Sequence, residues 1–285
     1  PYKIDDEFFA RIDWVVDQAL SQDLNVVVNV HHYDELFEDP ETNADRFVSL
    51  WEQIATRYAD RSGALYLELL NEPHGNLDAV TWNDFMARTV AAVRQIDGYH
   101  TLILGGPEWS GIGSLVYLSL PEDEQNAIVT FHYYEPFLFT HQGAEWVGPE
   151  IGTTGVTWPG PPEEKVDPIA AAREVEWVRA WFARYNQTSG SHNPASPEAI
   201  ARAFDDAVDW SERRGVPLWL GEFGAYSTAD MASRVRWTET IRREAEARGI
   251  PWAYWEFGAG FGVYDRETGS WRTPLLNALI PEGED

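Results

Sequence analysis

Acidic and polar side chains follow several short apolar runs of this sequence, at the point where each run ends. Asn71-Glu72-Pro73 follows one run, and Gly221-Glu222-Phe223-Gly224 follows another. Two carboxyl groups can cleave a glycosidic bond, because one protonates the leaving oxygen while the other attacks the anomeric carbon or activates water. A lone glutamate at a strand end is more often solvated or paired with arginine. It is the pair, in these two contexts, that predicts glycoside hydrolysis by Glu72 and Glu222.

Two neighbouring residues fit roles beside such a pair. Tyr134 could donate a hydrogen bond to Glu222 and keep that carboxylate ionised, since hydrogen bonds to the charged form of an acid favour it. Asn71 could hold the 2-hydroxyl of the sugar, where the bond tightens in the transition state. The ordinary alternatives are a core tyrosine and a turn asparagine.

Three histidines at strand ends, His31, His32 and His132, raise the alternative of a metal-dependent hydrolase. Adjacent residues of one strand point to opposite faces, so His31 and His32 should diverge. No bridging aspartate and no second His-x-His pair accompanies them. We therefore predict no metal and no cofactor, and we expect the histidines to hydrogen-bond to sugar hydroxyls.

The elements that must position these residues alternate along the chain. Short apolar runs are typical of strands buried on both faces of a parallel sheet, and helical patterns separate them. The fold class is therefore α/β. We predict a (β/α)8 TIM barrel, in which the reactive groups lie at the carboxyl ends of the strands. Six strands are predicted where a closed barrel has eight, so we expect the first two β/α units to be absent from this sequence. The six runs are Leu24–Val30, Ala64–Leu70, Thr101–Leu104, Ala127–Phe131, Pro217–Leu220 and Trp252–Phe257.

The longest interruption of this rhythm lies between the fourth and fifth strands. It contains a Gly/Pro/Thr-rich loop at Ile151–Pro162, an extra helix capped by Asp167, and a polar loop at Asn186–Ala195. Insertions on the catalytic face of a barrel usually shape the cleft. We predict one catalytic domain over residues 1–285, with residues 160–195 as a cleft-side insertion.

Composition excludes several classes of partner. The net charge of −26 repels nucleic-acid phosphates and anionic lipid, and no apolar stretch is long enough to span a membrane. The chain has no cysteine, and only two of its 21 basic residues are lysines. An acidic surface with few lysines fits either adaptation to high salt or a bias of the lineage. Fourteen tryptophans exceed what a core of this size requires and suit stacking on sugar rings.

The strand-end motifs resemble glycoside hydrolase family 5 (cellulase family A), and most of all its subfamily 25 of bacterial endoglucanases that also act on mannan. The motifs are NVHHYDELFEDP, LELLNEPHGNL, TFHYYEPFLFTHQGAEW, LGEFGAYSTAD and AYWEFGAGFGVYD. The resemblance implies that Glu72 is the acid/base and Glu222 the nucleophile. It implies sugar contacts for Asn71, His31, His32, His132 and Tyr134, a stacking platform at Trp255 with Glu256 beside it, and a cleft-lining ring at Trp158.

The sequence departs from the family pattern in two places. The first two strands of the family, which carry a site arginine, have no counterpart here, and the stretch from about 160 to 195 is longer. We expect a secreted, monomeric, retaining endo-β-1,4-glycanase that binds a β-linked polysaccharide. The alternatives are a β-mannanase and a non-catalytic carbohydrate-binding relic.

Overall fold

The computed structural model describes residues 2–281, and these form two compact units. Unit 1 comprises residues 2–131 and 210–219, and unit 2 comprises residues 132–209 and 220–281. The single domain over 1–285 stays a prediction, and its terminal residues, Pro1 and 282–285, lie outside the described part of the chain.

A parallel sheet of five strands runs in the order β1-β2-β3-β4-β5. The register joins Val26 to Leu65 and Leu102 to Ala127. Each strand coincides with a predicted apolar run to within two residues, as expected for strands of an α/β fold. The strands are β1 (Val26–Asn29), β2 (Leu65–Glu68), β3 (Leu102–Gly105), β4 (Ala127–His132) and β5 (Leu218–Glu222).

The sixth predicted strand, Trp252–Phe257, is not a regular strand. One parallel bridge joins Trp252 to Leu220. The Leu220 carbonyl accepts from Ala253 N, and the Phe223 carbonyl accepts from Trp255 N. Pairing therefore advances three residues on one side and two on the other, and this mismatch interrupts the ladder.

Ten α-helices are described between residues 2 and 281, and none of them is long and apolar enough to cross a membrane. Short 3₁₀ turns at Ile112–Tyr117, Pro149–Ile151 and Gly190–His192 and a hairpin of β6 (Tyr264–Asp265) with β7 (Ser270–Trp271) complete the described elements. The helices are α1 (Asp6–Leu20), α2 (Asp34–Glu38), α3 (Pro40–Tyr58), α4 (Ala79–Arg94), α5 (Phe137–Thr140), α6 (Ala170–Arg173), α7 (Glu176–Gln187), α8 (Pro197–Arg214), α9 (Met231–Ala247) and α10 (Thr273–Leu279).

Helix α1 buries a face one residue away from the one expected from Phe8, Ile12, Val15 and Ala19. Phe8 is 60% exposed and Val15 45% exposed, whereas Val16 is buried. One residue is about 100° of helix rotation, so Phe8 and Val15 turn towards solvent, while Ile12 and Ala19 stay half-buried beside Val16. Strand β1 is also less covered than the predicted both-face burial, because Val27 is 38% exposed.

Buried tryptophans fix the carboxyl ends of the strands in unit 1. The indole N–H of Trp51 in α3 donates to the Leu69 carbonyl at 2.8 Å, and that of Trp82 in α4 donates to the Gly105 carbonyl at 2.9 Å. Both rings are fully buried. Each bond satisfies a backbone carbonyl at the end of a strand, and it anchors a helix to the carboxyl end of that strand.

The insertion contains two helices where one was predicted. Helix α6 ends at Arg173 and α7 begins at Glu176, because Val175 takes an extended conformation between them. The Tyr185 hydroxyl of α7 accepts from the Thr157 amide and donates to the Thr157 carbonyl. The insertion is thereby tied to the loop at 151–162, and its position beside a cleft stays a prediction.

Candidate active site

The Asn-Glu-Pro motif of unit 1 follows β2 in a constrained conformation. Asn71 is buried, and its backbone N–H donates to the Val30 carbonyl at 3.0 Å. Glu72 has φ +49°, in the left-handed region that non-glycine residues seldom adopt. The Glu72 carbonyl lies 2.6 Å from Nδ1 of His74, so a proton on that nitrogen would be donated to it. Such backbone strain persists only where the surroundings hold it, and it is concentrated at functional sites.

His31 and His32 do not diverge as predicted. Their rings contact each other edge to face, with centroids 4.6 Å apart. The reason is that β1 ends at Asn29, so the two histidines lie in the following loop, where the strand alternation no longer applies. His31 is half-buried and His32 is exposed.

The last residues of β1 and β2 form a polar pair that sequence reasoning missed. Asn29 and Glu68 are register partners, and the side-chain amide nitrogen (Nδ2) of Asn29 donates to Oε2 of Glu68 at 2.9 Å. The same amide nitrogen lies 3.4 Å from Nδ1 of His31. Glu68 is 4% exposed. The available signal was a polar residue inside each of two apolar runs, since a buried carboxylate persists only with partners.

The Glu222 carboxylate in unit 2 has two polar neighbours from the end of β4. The Tyr134 hydroxyl donates to Oε2 of Glu222 at 2.8 Å, which is the hydrogen bond predicted from the sequence. Nδ1 of His132 lies 3.6 Å from the same oxygen, and the Glu222 side chain is 13% exposed. A short bond from a hydroxyl stabilises the ionised form of a carboxylate. This arrangement suits an acid that has lost its proton.

Trp255 is hydrogen-bonded to the segment that carries Glu222. Its amide donates to the Phe223 carbonyl at 2.9 Å. A Cβ atom at position 224 would lie 2.1 Å from the Trp255 carbonyl oxygen. Only glycine therefore permits this approach of the two backbones. The peptide bond between Trp255 and Glu256 is cis.

Comparison with known proteins decides the family. The model of Cellulase (glycosyl hydrolase family 5) matches residues 1–260. The chain belongs to glycosyl hydrolase family 5.

Relatives of this family 5 chain agree with that assignment. Endoglucanase H of Acetivibrio thermocellus is 32% identical over 99% of this chain, which spans 27% of that protein. Endoglucanase Cel5A of the hyperthermophilic Thermotoga maritima has a structure that superposes with a TM-score of 0.83 at 43% identity, covering 98% of this chain and 80% of its own. Structures of Cel5A with cellobiose and with mannotriose superpose with a TM-score of 0.81. The predicted α/β-barrel fold class is confirmed, and the subfamily stays a prediction.

One family-implied role needs correction in this family 5 chain, and a second residue is hydrogen-bonded to its own loop. Trp158 is only 2% exposed, so its ring has no open face for a sugar. Its carbonyl accepts two bonds from the Arg236 guanidinium, which hold the loop on α9. The Glu256 carboxylate accepts from the backbone amides of Gly258, Ala259 and Phe261 at 2.7–3.2 Å. These bonds hold the carboxylate within its own loop, and a contact between Glu256 and the sugar stays a prediction.

A buried arginine joins two loops of unit 2 and was not predicted. Nε of Arg234 donates to the Ala225 carbonyl and Nη2 to the Phe261 carbonyl, both at 2.9 Å. The Tyr254 hydroxyl also donates to Phe261 at 2.8 Å. Burial lowers the pKa of the Arg234 guanidinium. Arg234 thus holds together the loop after Glu222 and the loop after Trp255.

Two exposed aromatic rings, one in each unit, were not predicted as site residues. Trp109 of unit 1 is 55% exposed and stacks on His74, with centroids 5.0 Å apart and an interplanar angle of 11°. Residues 108–110 all have φ between +52° and +58°. In unit 2, Trp146 is 62% exposed and packs edge to face on Tyr226. Trp109 follows the predicted strand Thr101–Leu104 by five residues, but its exposure is decided by the loop conformation.

Proposed function

We propose that this chain is a retaining endo-1,4-β-glucanase that acts on β-1,4-glucan by double displacement. The observation that carries the proposal is the 2.8 Å bond from the Tyr134 hydroxyl to Glu222. It supports an ionised Glu222 at the end of β5, as a nucleophile requires. The names of the relatives, which are endoglucanases, support glucan as the substrate.

The mechanism follows from two glutamates with opposite proton roles. Glu72 gives its proton to the glycosidic oxygen while Glu222 attacks the anomeric carbon, so the leaving sugar departs as an alcohol and a glycosyl ester forms on Glu222. Glu72 then takes a proton from water, which attacks the anomeric carbon and releases Glu222. Two inversions give net retention. The pairing of Glu72 with Glu222 across one bond is part of the proposal.

Substitution of Glu222 tests the nucleophile. We expect Glu222→Gln to abolish hydrolysis of soluble β-glucan and to leave oligosaccharide binding largely intact, because the loss falls on the transition state. Reducing-sugar release measures hydrolysis, and calorimetric titration with cellotetraose measures oligosaccharide binding. Hydrolysis at a near wild-type rate would remove Glu222 from this role. The anomer released first, followed by NMR, should be β, and an α product would exclude retention.

Substitution of Glu72 tests the acid. Glu72→Gln should slow poor leaving groups much more than activated aryl glycosides, because activated groups need little protonation. The measurement compares kcat/KM for a dinitrophenyl cellobioside with kcat/KM for cellotetraose. Equal losses on both substrates would contradict the acid role.

β-Mannan is a second candidate substrate, favoured by the relative Cel5A, which has been crystallised with mannotriose. The assay compares initial rates on carboxymethylcellulose, glucomannan and pure mannan. A polymer cannot cross a membrane, so we propose that the enzyme is secreted and acts outside the cell. Turnover of any of these polymers excludes the carbohydrate-binding relic, and activity that survives EDTA excludes the metal-dependent alternative.

A further inference from the structure

Three aromatic side chains form an exposed cluster on the hairpin of unit 2, named here the hairpin platform: Phe257, Tyr264 and Trp271. Phe257 is 55% exposed and Trp271 is 48% exposed. Tyr264 of β6 is the register partner of Trp271 of β7. Large apolar side chains that stay grouped in solvent mark binding surfaces more often than single exposed residues do.

The rings of the hairpin platform hold one another in place. Phe257 stacks on Tyr264 with centroids 5.2 Å apart and an interplanar angle of 18°. Trp271 packs edge to face against Phe257 at 5.7 Å and against Tyr264 at 5.2 Å. Because each ring is already confined by the other two, a ligand that settles on them orders little further side-chain freedom.

A continuous backbone path joins the hairpin platform to the predicted site. The Trp255 amide donates to the carbonyl of Phe223, next to Glu222. Two residues beyond Trp255, the Phe257 carbonyl accepts from the Tyr264 amide at 2.8 Å, and Tyr264 pairs with Trp271. The platform is therefore hydrogen-bonded to the segment that carries the expected stacking residue Trp255.

Polar side chains lie on the same hairpin as the rings. The Arg272 guanidinium lies 3.6 Å from Asp265 and donates to the Tyr264 carbonyl. The hydroxyls of Thr268 and Ser270 are hydrogen-bonded at 2.7 Å. An apolar surface with a polar rim matches a sugar, whose C–H faces are flat and whose hydroxyls lie at the edges. A chain of net charge −26 also favours a neutral ligand over an anionic one.

We propose that the hairpin platform is a further subsite, which binds a sugar ring of a β-1,4-linked glucan chain beyond the sugar at Trp255. This inference rests on the proposed function, because it concerns the same substrate. The effect of the platform should therefore depend on substrate length. It strengthens binding of long glucan chains, and a disaccharide glycoside does not reach it.

Trp271→Ala tests the proposal with two substrates of different length. We expect kcat/KM on cellohexaose and on soluble β-glucan to fall by roughly threefold to tenfold, the value of one aromatic packing contact. The kcat/KM for p-nitrophenyl cellobioside should stay within twofold of wild type. Trp271→Phe, which keeps a flat ring, should retain most of the long-chain activity. Phe257→Ala is an independent second variant with the same expected pattern.

Trp14→Ala is the matched control, since Trp14 is 53% exposed on α1, outside both the predicted site and the cleft-side insertion. It should leave both substrates unaffected. Equal losses of the Trp271 variant on short and long substrates would mean that the platform only supports the fold, and no loss on either would mean that no sugar binds there. Both results overturn the subsite. Wild-type protein that hydrolyses no β-glucan would instead overturn the proposed function.

Discussion

The bond from Tyr134 to Glu222 makes a prediction about which chemical step fails when it is removed. Glu222 is ionised before attack, is an ester in the intermediate, and is ionised again when water releases it. A hydroxyl donor favours the charged state, so it assists the second step, in which the carboxylate departs. A hydrogen bond to a charged group contributes about 1.5–3 kcal/mol. Its full loss would slow release of the sugar by about tenfold to 150-fold.

The variant is Tyr134→Phe, and the assay is pre-steady-state kinetics with a dinitrophenyl cellobioside. Because this leaving group departs readily, the ester should accumulate. We expect a burst of phenol equal to the enzyme concentration, then a slow steady rate, with kcat and KM lowered together. Tyr133→Phe is the control: that ring packs edge to face on Phe204, and the same hydroxyl is deleted one residue away.

A kcat within twofold of wild type for Tyr134→Phe, with no burst, would refute this reasoning. A similar loss for Tyr133→Phe would also refute it, because the effect would then follow from the strand and not from the bond to Glu222. Thermal unfolding of both variants, measured by circular dichroism, separates loss of chemistry from loss of fold.

Three further predictions concern stability. Gly224→Ala should lower the free energy of unfolding by about 1–3 kcal/mol, because the added Cβ would lie 2.1 Å from the Trp255 carbonyl oxygen; Gly98→Ala, with nothing within 4 Å, is the control. Burial alone would raise the pKa of Glu124, but the Arg94 guanidinium and the Asn126 backbone amide together outweigh burial and lower it. The stabilisation is therefore fully present above the unfolded pKa of about 4.3 and is lost as the pH falls through the folded pKa. Denaturant curves for wild type and Glu124→Gln should differ more at pH 7 than at pH 3. Raising NaCl from 0.1 to 1 M should raise the melting temperature by screening the repulsion within a chain of net charge −26, and a falling melting temperature would contradict salt adaptation.

The strands could be located from sequence because their signal is local. Short apolar runs with polar residues directly after them mark both the strand and its reactive end, and the five sheet strands follow that pattern. The Tyr134 bond was foreseeable for the same reason, since Glu222 ends β5 and Tyr134 lies two residues beyond β4, its neighbour in the sheet order.

Helix starts were less certain, because two residues could serve as one cap. Thr81, with Asp84 three residues later, fits an N-cap. The structure begins α4 at Ala79, and the Asp78 side chain accepts from the Thr81 amide at 2.9 Å. Both residue types serve as N-caps and aspartate is the more favoured, in agreement with the choice of Asp78.

Tryptophan roles could not be assigned from residue type. Trp51 and Trp82 are buried and donate indole N–H groups to strand-end carbonyls, whereas Trp109 and Trp271 are half exposed. The same flat ring serves a core and a sugar site, and only tertiary packing separates the two uses. Trp158 was misplaced for this reason.

The clamp made by Arg234 has a consequence for protein engineering. Exchanging the segment at 256–263 with that of another enzyme is a natural way to seek a new specificity. Any grafted segment must still present a backbone carbonyl where Phe261 now does, because the guanidinium and the Tyr254 hydroxyl both donate to it. A graft that fails this would leave a buried cation without an acceptor, and it would loosen the segment after Glu222 as well. Successful designs should therefore transplant the loop and its arginine as a single unit.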